Sequence, residues 1–210
     1  MPFYIKILCH DPLNYSILVH YTNPILIKEG SIYKAQIKNS NPISQQFLFN
    51  KATGKKITLA NEPSANYPGD GAFTLVNGVQ NEKGLAKGSE FLGFLGKDLD
   101  VIIDLGAVMD IKKVTLHTLE QNGSWIYLPS KVEVMYMYAM YTGKNALLGP
   151  PDKMLSVDVA QGKNISKIEI PGQQRCRYIR VVAKNYGIIP SGNPGAGNAA
   201  WLFADEIEVE

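Results

Sequence analysis

Two adjacent carboxylates, Asp205 and Glu206, are the side chains of this sequence best suited to acid–base chemistry. A carboxylate pair that hydrolyses a glycosidic bond must flank that bond. Asp205 and Glu206 lie in a stretch that alternates as a β-strand, so we predict that they point to opposite faces and cannot act together. The histidines, His10, His20 and His117, form no Ser/His/Asp spacing. The sequence therefore predicts no enzymatic activity.

A glycine-rich loop, "GNPGAG" (192–197), has a composition that could cradle phosphate. Phosphate loops work because they expose backbone N–H groups next to the N-terminus of a helix. Here the loop leads into a strand-like run, and no Lys-Ser or Lys-Thr pair closes it. We therefore predict a long surface loop that feeds a terminal core strand.

The elements that must position these residues are predicted to be strands. Short runs rich in β-branched and aromatic residues are bounded by turn residues, and no window of ten or more residues has a helical apolar period. These runs are "VIIDLG" (101–106), "KKVTLHTL" (112–119), "KVEVMYMYAMY" (131–141), "ISKIEI" (165–170) and "YIRVVA" (178–183). Their spacing predicts an all-β sandwich or barrel.

The bulk composition excludes several classes of protein. The 210 residues carry 21 basic and 19 acidic side chains, well mixed, which argues against a nucleic acid partner. No apolar run approaches the ~20 residues of a membrane span. The N-terminus lacks the features of a signal peptide. Either the protein stays inside the cell, or the chain is a piece of a longer exported protein.

The two cysteines, Cys9 and Cys176, form no C-x-x-C pair, so a metal cluster is not expected. One bridge could join them, but we expect two buried free thiols.

Several motifs in the second half of the chain occur together in one known family. They are "GKDLDVIIDLGAVMDIKKVTLHTLEQNGSWIYLPSKVEV" (96–134), "CRYIRVVAKNYGIIP" (176–190) and the closing "DEIEV" (205–209). They resemble the discoidin-like domain, also called the coagulation-factor type C domain or family-32 carbohydrate-binding module. The copy at the C-terminus of bacterial chitobiases (β-hexosaminidases) is especially similar. The resemblance implies a galactose-binding-like jelly-roll β-sandwich, with the strand near Ile57 beside the closing strand.

The N-terminal segment "HDPLNYSILVHYTNPILIKEGSIYKAQ" (10–36) resembles the small immunoglobulin-like module that precedes this domain in the same enzymes. "CHDP" stands where that module has "GSEP", and its first strands are missing. A polar stretch near residues 50–64 separates this segment from the larger body. The resemblance implies three parts: a partial immunoglobulin-like β segment (1–50), a linker (51–56) and the discoidin-like sandwich (57–210).

The resemblance also implies a function. Enzymes of this type carry their catalytic Asp-Glu pair on a (β/α)₈ barrel, which needs about 250 residues and cannot fit in this chain. The chain is therefore expected to be a non-catalytic module that targets a glycoside hydrolase to glycans carrying galactose or N-acetylhexosamine. Its partners would be the glycan and the catalytic domain, and its location the periplasm or the cell surface. The alternative is a structural module that packs on the catalytic domain and binds no sugar.

Many members of the family hold one structural calcium ion. The matching loop here is "TLVNGVQNEKG" (74–84), with Val76 and with Asn77 where Asp is usual. At the closing strand Ala204 would offer its carbonyl and Glu206 its carboxylate, and calcium prefers such oxygen ligands. The alternative is that Asn77 merely forms a turn and that Glu206 is a surface residue.

Sugar binding in this family uses loops at one end of the sandwich. Three loops, 61–71, 120–129 and 184–198, offer aromatic rings for the apolar face of a sugar and polar groups for its hydroxyls. The candidate contacts are Tyr67, Glu120, Trp125, Tyr127, Asn185, Tyr186 and Asn193. For each aromatic ring, the alternative is packing within its loop. Relatives often carry a Trp-His pair where this chain has "SGN" (191–193), and that difference favours the structural alternative.

Overall fold

The computed structural model describes residues 3–9, 16–20, 31–37, 43–138, 152–162 and 167–210. They form two compact units, one of residues 1–49 with 78–80 and one of residues 50–77 with 81–210. His10, the side chains of Cys9 and His20, and the ends of two predicted strands (139–141 and 165–166) lie outside the described residues.

The first unit contains an antiparallel sheet of four strands, in the order β2-β1-β3-β4. The strands are β1 (Phe3–Cys9), β2 (Ser16–His20), β3 (Ser31–Ile37) and β4 (Ile43–Phe47). The immunoglobulin-like character of this segment and its end at residue 50 stay predictions.

The second unit contains eight described strands and three short 3₁₀ turns. The strands are β5 (Lys56–Leu59), β6 (Gly69–Ala72), β7 (Leu92–Leu95), β8 (Leu99–Leu119), β9 (Lys131–Met137), β10 (Lys153–Asp158), β11 (Lys167–Lys184) and β12 (Trp201–Val209). The turns span Phe73–Val76, Gly84–Glu90 and Asn122–Ser124. The all-β prediction is confirmed. No helix among the described residues is long and apolar enough to cross a membrane.

Two long strands, β8 and β11, organise the sheet, whose order is β10-β9-β11-β8-β12-β7. β11 pairs with β8 along nearly its whole length, with register shifts near residues 171–174 and 176–178 that let the pair bend. On the opposite edge of β8, β5 pairs with residues 101–104 and β12 with residues 114–119. The first and last strands therefore follow one another along β8 and do not pair, contrary to the side-by-side arrangement that the resemblance implied.

The start and the end of this unit nevertheless meet. The Lys51 N–H donates to the Val209 carbonyl at 2.9 Å, and the Val209 N–H donates to Asn50 Oδ1 at 3.1 Å. Ala52 is buried in the core, and β5 begins at Lys56. The segment predicted as a linker, 51–56, thus lies within the second unit, as a turn packed against the closing strand.

The core follows from the alternation of the strands. In β8 the side chains of Val101, Ile103 and Leu105 are fully buried. Ile102 and Asp104, which alternate with them, are partly exposed. The same alternation in β9, β11 and β12 gives one continuous apolar cluster, so the loops between strands are carried on a rigid scaffold. Cys176 is a buried free thiol within this cluster, as predicted.

Candidate functional site

Trp125 is the exposed aromatic ring of the loop that joins β8 to β9. The loop forms a 3₁₀ turn at Asn122–Ser124, and Trp125 ends it with φ 63° and ψ 18°. Among the described residues, Trp125 is the one non-glycine residue with a positive φ. This left-handed conformation costs an L-residue roughly 1–2 kcal/mol and often marks functional sites. The indole is 41% exposed.

The inner face of the Trp125 ring rests on the backbone of Gly195 in the loop before β12. A Cβ placed on Gly195 would lie 2.5 Å from Cδ1 and 2.6 Å from Cγ of the indole, so any larger residue would displace the ring. Gly195 also has a φ of +81°, which favours glycine. We call the exposed indole of Trp125 and the Gly195 backbone beneath it the Trp125 platform.

The loop that carries Gly195 is held by its own backbone hydrogen bonds. The Ile189 N–H donates to the Asn198 carbonyl, and the Gly197 N–H donates to the Ile189 carbonyl, both at 2.9 Å. The Asn198 N–H donates to the Gly195 carbonyl at 3.0 Å. These bonds make loop 187–198 a preorganised support for the platform.

Tyr127 is a buried support of this loop, and the prediction that its ring contacts sugar is wrong. Its side chain is 1% exposed, and its hydroxyl donates to the Pro194 carbonyl at 2.9 Å. Tyr186 stacks on Tyr127 with ring centroids 4.9 Å apart and planes 6° from parallel. Burial, aided by Tyr186 and Glu120, raises the pKa of Tyr127. The left-handed turn at Trp125 breaks the alternation that would have put both rings on one side.

Two predicted polar contacts are engaged within the protein. The Asn185 amide donates to the carbonyls of Phe94 and Ala200 at 3.3 and 3.1 Å, and its Oδ1 accepts from the Gly187 N–H at 2.8 Å. Glu120 Oε1 accepts from the Gly162 N–H at 2.7 Å. Asn185 therefore ties loop 184–198 to its neighbours and has no spare amide proton for a sugar.

Tyr67 packs away from the platform. Its ring contacts Trp201 edge-on, with centroids 5.4 Å apart, and Phe203 at 4.6 Å. Tyr67 and Trp201 pack against an apolar cluster that contains Phe91 and Phe203. Tyr67 is therefore a packing residue, as is Trp201.

Asn193 is an exposed polar residue of the loop beside the platform, and its amide donates to the Pro190 carbonyl at 3.5 Å. Its contact with sugar stays a prediction. Sequence analysis missed Asn198, which is also exposed, and Ile188, whose side chain is 66% exposed. Ile188 forms a β-bridge with Ala199, at the base of loop 187–198. A bulky apolar residue in a glycine-rich loop was the available signal.

The closing strand carries a β-bulge at its paired carboxylates. Ala204 pairs with Thr118 and Glu206 with His117, so Asp205 is the additional residue. Asp205 Oδ1 lies 2.5 Å from His117 Nδ1, and its Oδ2 accepts from the Asn81 N–H. The two carboxylates thus lie on the His117 side of the sheet, and the prediction that they face opposite ways is wrong.

Both carboxylates are buried, which keeps them from a substrate. Burial raises the pKa of Asp205, while the hydrogen bonds from His117 and from the Asn81 N–H act in the opposite direction. Glu206 is 0% exposed, and the Asn50 amide donates to its Oε1 at 3.4 Å. The alternative that Glu206 is a surface residue is therefore wrong.

The candidate calcium ligands fit the ion chemically. Calcium takes carboxylate, amide and carbonyl oxygens, and Val76, Asn77, Ala204 and Glu206 offer all three kinds. The Val76 carbonyl already accepts from the Gly54 N–H at 2.7 Å but has a second lone pair. In the part of the chain that the structure describes, no cluster of three or more His, Cys, Asp or Glu side chains could hold a metal.

No protein-family model and no curated protein matches the chain. Solved structures match about three quarters of the chain and show a lectin-type β-sandwich fold. The lectin domain of lectinolysin complexed with Lewis b antigen is 16% identical, with a TM-score of 0.51 over 77% of this chain and 96% of that one. A histidine mutant of the same domain, also with Lewis b, is 16% identical, with a TM-score of 0.50 over 77% of this chain and 94% of that one. A fucose binding module of Streptococcus pneumoniae is 16% identical, with a TM-score of 0.49 over 77% of this chain and 94% of that one. The structural neighbours are carbohydrate-binding modules, and the chain shares their fold.

Proposed function

We propose that this chain is a non-catalytic glycan-binding module whose contact with sugar is the Trp125 platform. The observation that carries the proposal is an indole that is 41% exposed, held in a strained left-handed turn and backed by Gly195. Strain of this kind persists only where surrounding structure imposes it, and an exposed aromatic ring gains little stability in return. Presentation of the ring to a ligand accounts for both features.

The indole would stack on the apolar face of a hexose. The exposed amides of Asn193 and Asn198 each donate one hydrogen bond to a carbonyl of their own loop, and their second N–H and their oxygen would bond the sugar hydroxyls. Galactose and N-acetylhexosamines are the sugars expected from the sequence resemblance. The lectin domain that shares the fold was solved with Lewis b antigen, so that oligosaccharide is a further probe. A single contact of this kind should bind near millimolar, about −4 kcal/mol.

Isothermal titration with Lewis b, galactose, N-acetylgalactosamine and N-acetylglucosamine tests the proposal. Trp125→Ala should abolish binding without unfolding the protein. Phe73→Ala is the matched control, because Phe73 is an aromatic ring of similar exposure on a different turn. Retained affinity in Trp125→Ala, or equal loss in both variants, would remove the platform from the proposal.

The module would serve a glycoside hydrolase of the chitobiase type at the cell surface or in the periplasm, where avidity for multivalent glycans offsets weak single contacts. It should not itself hydrolyse aryl N-acetylglucosaminides, because Asp205 and Glu206 are buried. Hydrolysis that disappears in Glu206→Gln would contradict this part of the proposal.

One structural calcium ion belongs to the proposal. The carbonyls of Val76 and Ala204, the Asn77 amide oxygen and the Glu206 carboxylate would hold it, because calcium prefers oxygen ligands of these kinds. An ion that binds only the native state adds roughly 2.7 kcal/mol at a hundredfold excess over its dissociation constant. The melting temperature should therefore fall in chelator. Asn77→Asp should enlarge that fall, and Glu206→Gln should remove it. An unchanged melting temperature in chelator, with no metal by elemental analysis, would contradict the calcium proposal.

A second candidate function is a structural module that packs on a catalytic domain. The side chains of Tyr138 and Met154, near the facing ends of β9 and β10, are large, apolar and exposed, as interface residues are. This candidate predicts that none of the four sugars binds and that Tyr138→Ser with Met154→Ser weakens association with the parent enzyme. Glycan binding that survives the same two substitutions would favour the first function.

A further inference from the structure

We infer that Tyr127 is the positioning residue of the Trp125 platform: its hydroxyl holds the Pro194 carbonyl, and so keeps Gly195 against the indole. The inference deepens the proposed function and rests on it. Tyr127 itself touches no ligand, since it is 1% exposed. It acts on the platform through the peptide that joins Pro194 to Gly195.

The anchor of Tyr127 is the closing strand. The Tyr127 N–H donates to the Trp201 carbonyl at 3.0 Å, and the Trp201 N–H donates to the Trp125 carbonyl at 2.9 Å. These two bonds fix the backbone on either side of Ile126 to the first residue of β12. The Tyr127 side chain therefore projects from a rigid element toward loop 187–198.

The orientation of the phenol is set by stacking. Tyr186 lies parallel to Tyr127, with 4.9 Å between ring centroids, and both rings pack in a small cluster with Ile189 and Ala200. A buried hydroxyl that cannot reach water must find a partner within the protein. The Pro194 carbonyl, 2.9 Å away, is that partner. Burial raises the pKa of Tyr127, so the hydroxyl keeps its proton and stays a donor at neutral pH.

The hydrogen bond matters to the platform because of where it ends. The Pro194 carbonyl carbon is bonded directly to the nitrogen of Gly195, whose backbone lies under the indole. A Cβ on Gly195 would come within 2.7 Å of the indole Nε1, so the loop and the ring are in close contact with no gap between them. A small shift of the Pro194–Gly195 peptide must therefore move the indole or open a gap beneath it.

The test is Tyr127→Phe, which deletes the hydroxyl and keeps the stacked ring. The matched control is Tyr136→Phe, because Tyr136 is a buried tyrosine of the core cluster whose hydroxyl has no hydrogen-bond partner within the described residues. Two signals are read for each variant: the NMR indole N–H signal of Trp125 without ligand, and the dissociation constant for whichever of the four sugars binds the wild type. Tyr127→Phe should shift the indole signal and weaken sugar binding about fivefold, the value of a typical hydrogen bond. Tyr136→Phe should change neither.

The outcomes separate this inference from the proposed function. If the wild type binds none of the sugars, the proposed function fails, but the ligand-free indole signal still decides whether Tyr127 positions the ring. An indole signal that is unchanged in Tyr127→Phe, or equally shifted in Tyr136→Phe, overturns the inference. So does a large fall in melting temperature that accompanies the shift in Tyr127→Phe, because it would give Tyr127 a general structural role.

Discussion

Replacing Gly195 by alanine should displace the Trp125 indole and weaken glycan binding. The added methyl group would sit 2.5 Å from Cδ1 and 2.6 Å from Cγ of the ring. Carbon atoms make favourable contacts at about 3.5–4.0 Å, so the ring has to retreat by about 1 Å. Because Trp125 ends a turn and is tied to Trp201, the side chain rather than the backbone should move.

The magnitude has two separable parts. Alanine at a φ of +81° costs roughly 1–2 kcal/mol of stability whatever surrounds it. Gly197 has nearly the same φ, +83°, and a methyl group added there would meet no other atom within 4 Å. Gly197→Ala therefore reproduces the backbone cost without the clash. The contact with the ring adds an overpacking cost of about 1–3 kcal/mol, which an outward swing of the indole converts into lost affinity.

The assay is a pair of titrations with the best-binding sugar, together with thermal melts of both variants. Gly195→Ala should bind about tenfold more weakly than Gly197→Ala, which corresponds to about 1.4 kcal/mol. The two variants should have similar melting temperatures, because they share the backbone cost and differ mainly in affinity. Equal affinities would refute the reasoning, because they would mean that the ring contact contributes nothing to binding.

Three further predictions concern strain and titration. Trp125→Gly should leave the protein at least as stable as Trp125→Ala, because glycine relieves the positive φ; the reverse order in thermal melts would mean that no strain is stored. Burial raises the pKa of Cys176 to about 11, so that thiol should resist alkylation in the native protein. The stability that the buried neutral thiol contributes is full below pH 9.0 and is lost as the pH rises toward about 11. Rapid labelling of the native protein, measured by mass spectrometry, would contradict this. The hydrogen bond from Arg177 lowers the pKa of Asp104 below 3.8, so stability from this pair should be full above that pH and fade as the pH falls through the lowered value; an acid melting profile that Asp104→Asn leaves unchanged would count against the pair.

Strand alternation carried most of the fold prediction. The residues that are apolar at every second position of β8 and β9 are those that the structure buries, because a strand with one side against the core reads directly as period two. Trp125 was a candidate contact in loop 120–129, and the structure exposes its ring in that loop. Local chemistry was sufficient in both cases.

The site predictions that were wrong concern residues whose position depends on parts of the chain far away in sequence. A bulge is an unmatched residue between two strands, so nothing within "ADEIEV" reveals that Asp205 is the additional one. The fate of the Asn185 amide depends on the carbonyls of Phe94 and Ala200, one of them far away in the chain. The burial of Tyr127 depends on the left-handed conformation of Trp125, which the residue types of this loop do not reveal.

The most direct test of the account is an NMR titration of the indole N–H signals with Lewis b and the three simple sugars. The sequence contains two tryptophans, so Trp201, which packs edge-on against Tyr67 and Phe203, is an internal reference. The account predicts a saturable shift of the Trp125 signal at about millimolar sugar, with Trp201 nearly unmoved. A Trp125 signal that stays in place at tens of millimolar of all four sugars would contradict the glycan-binding platform.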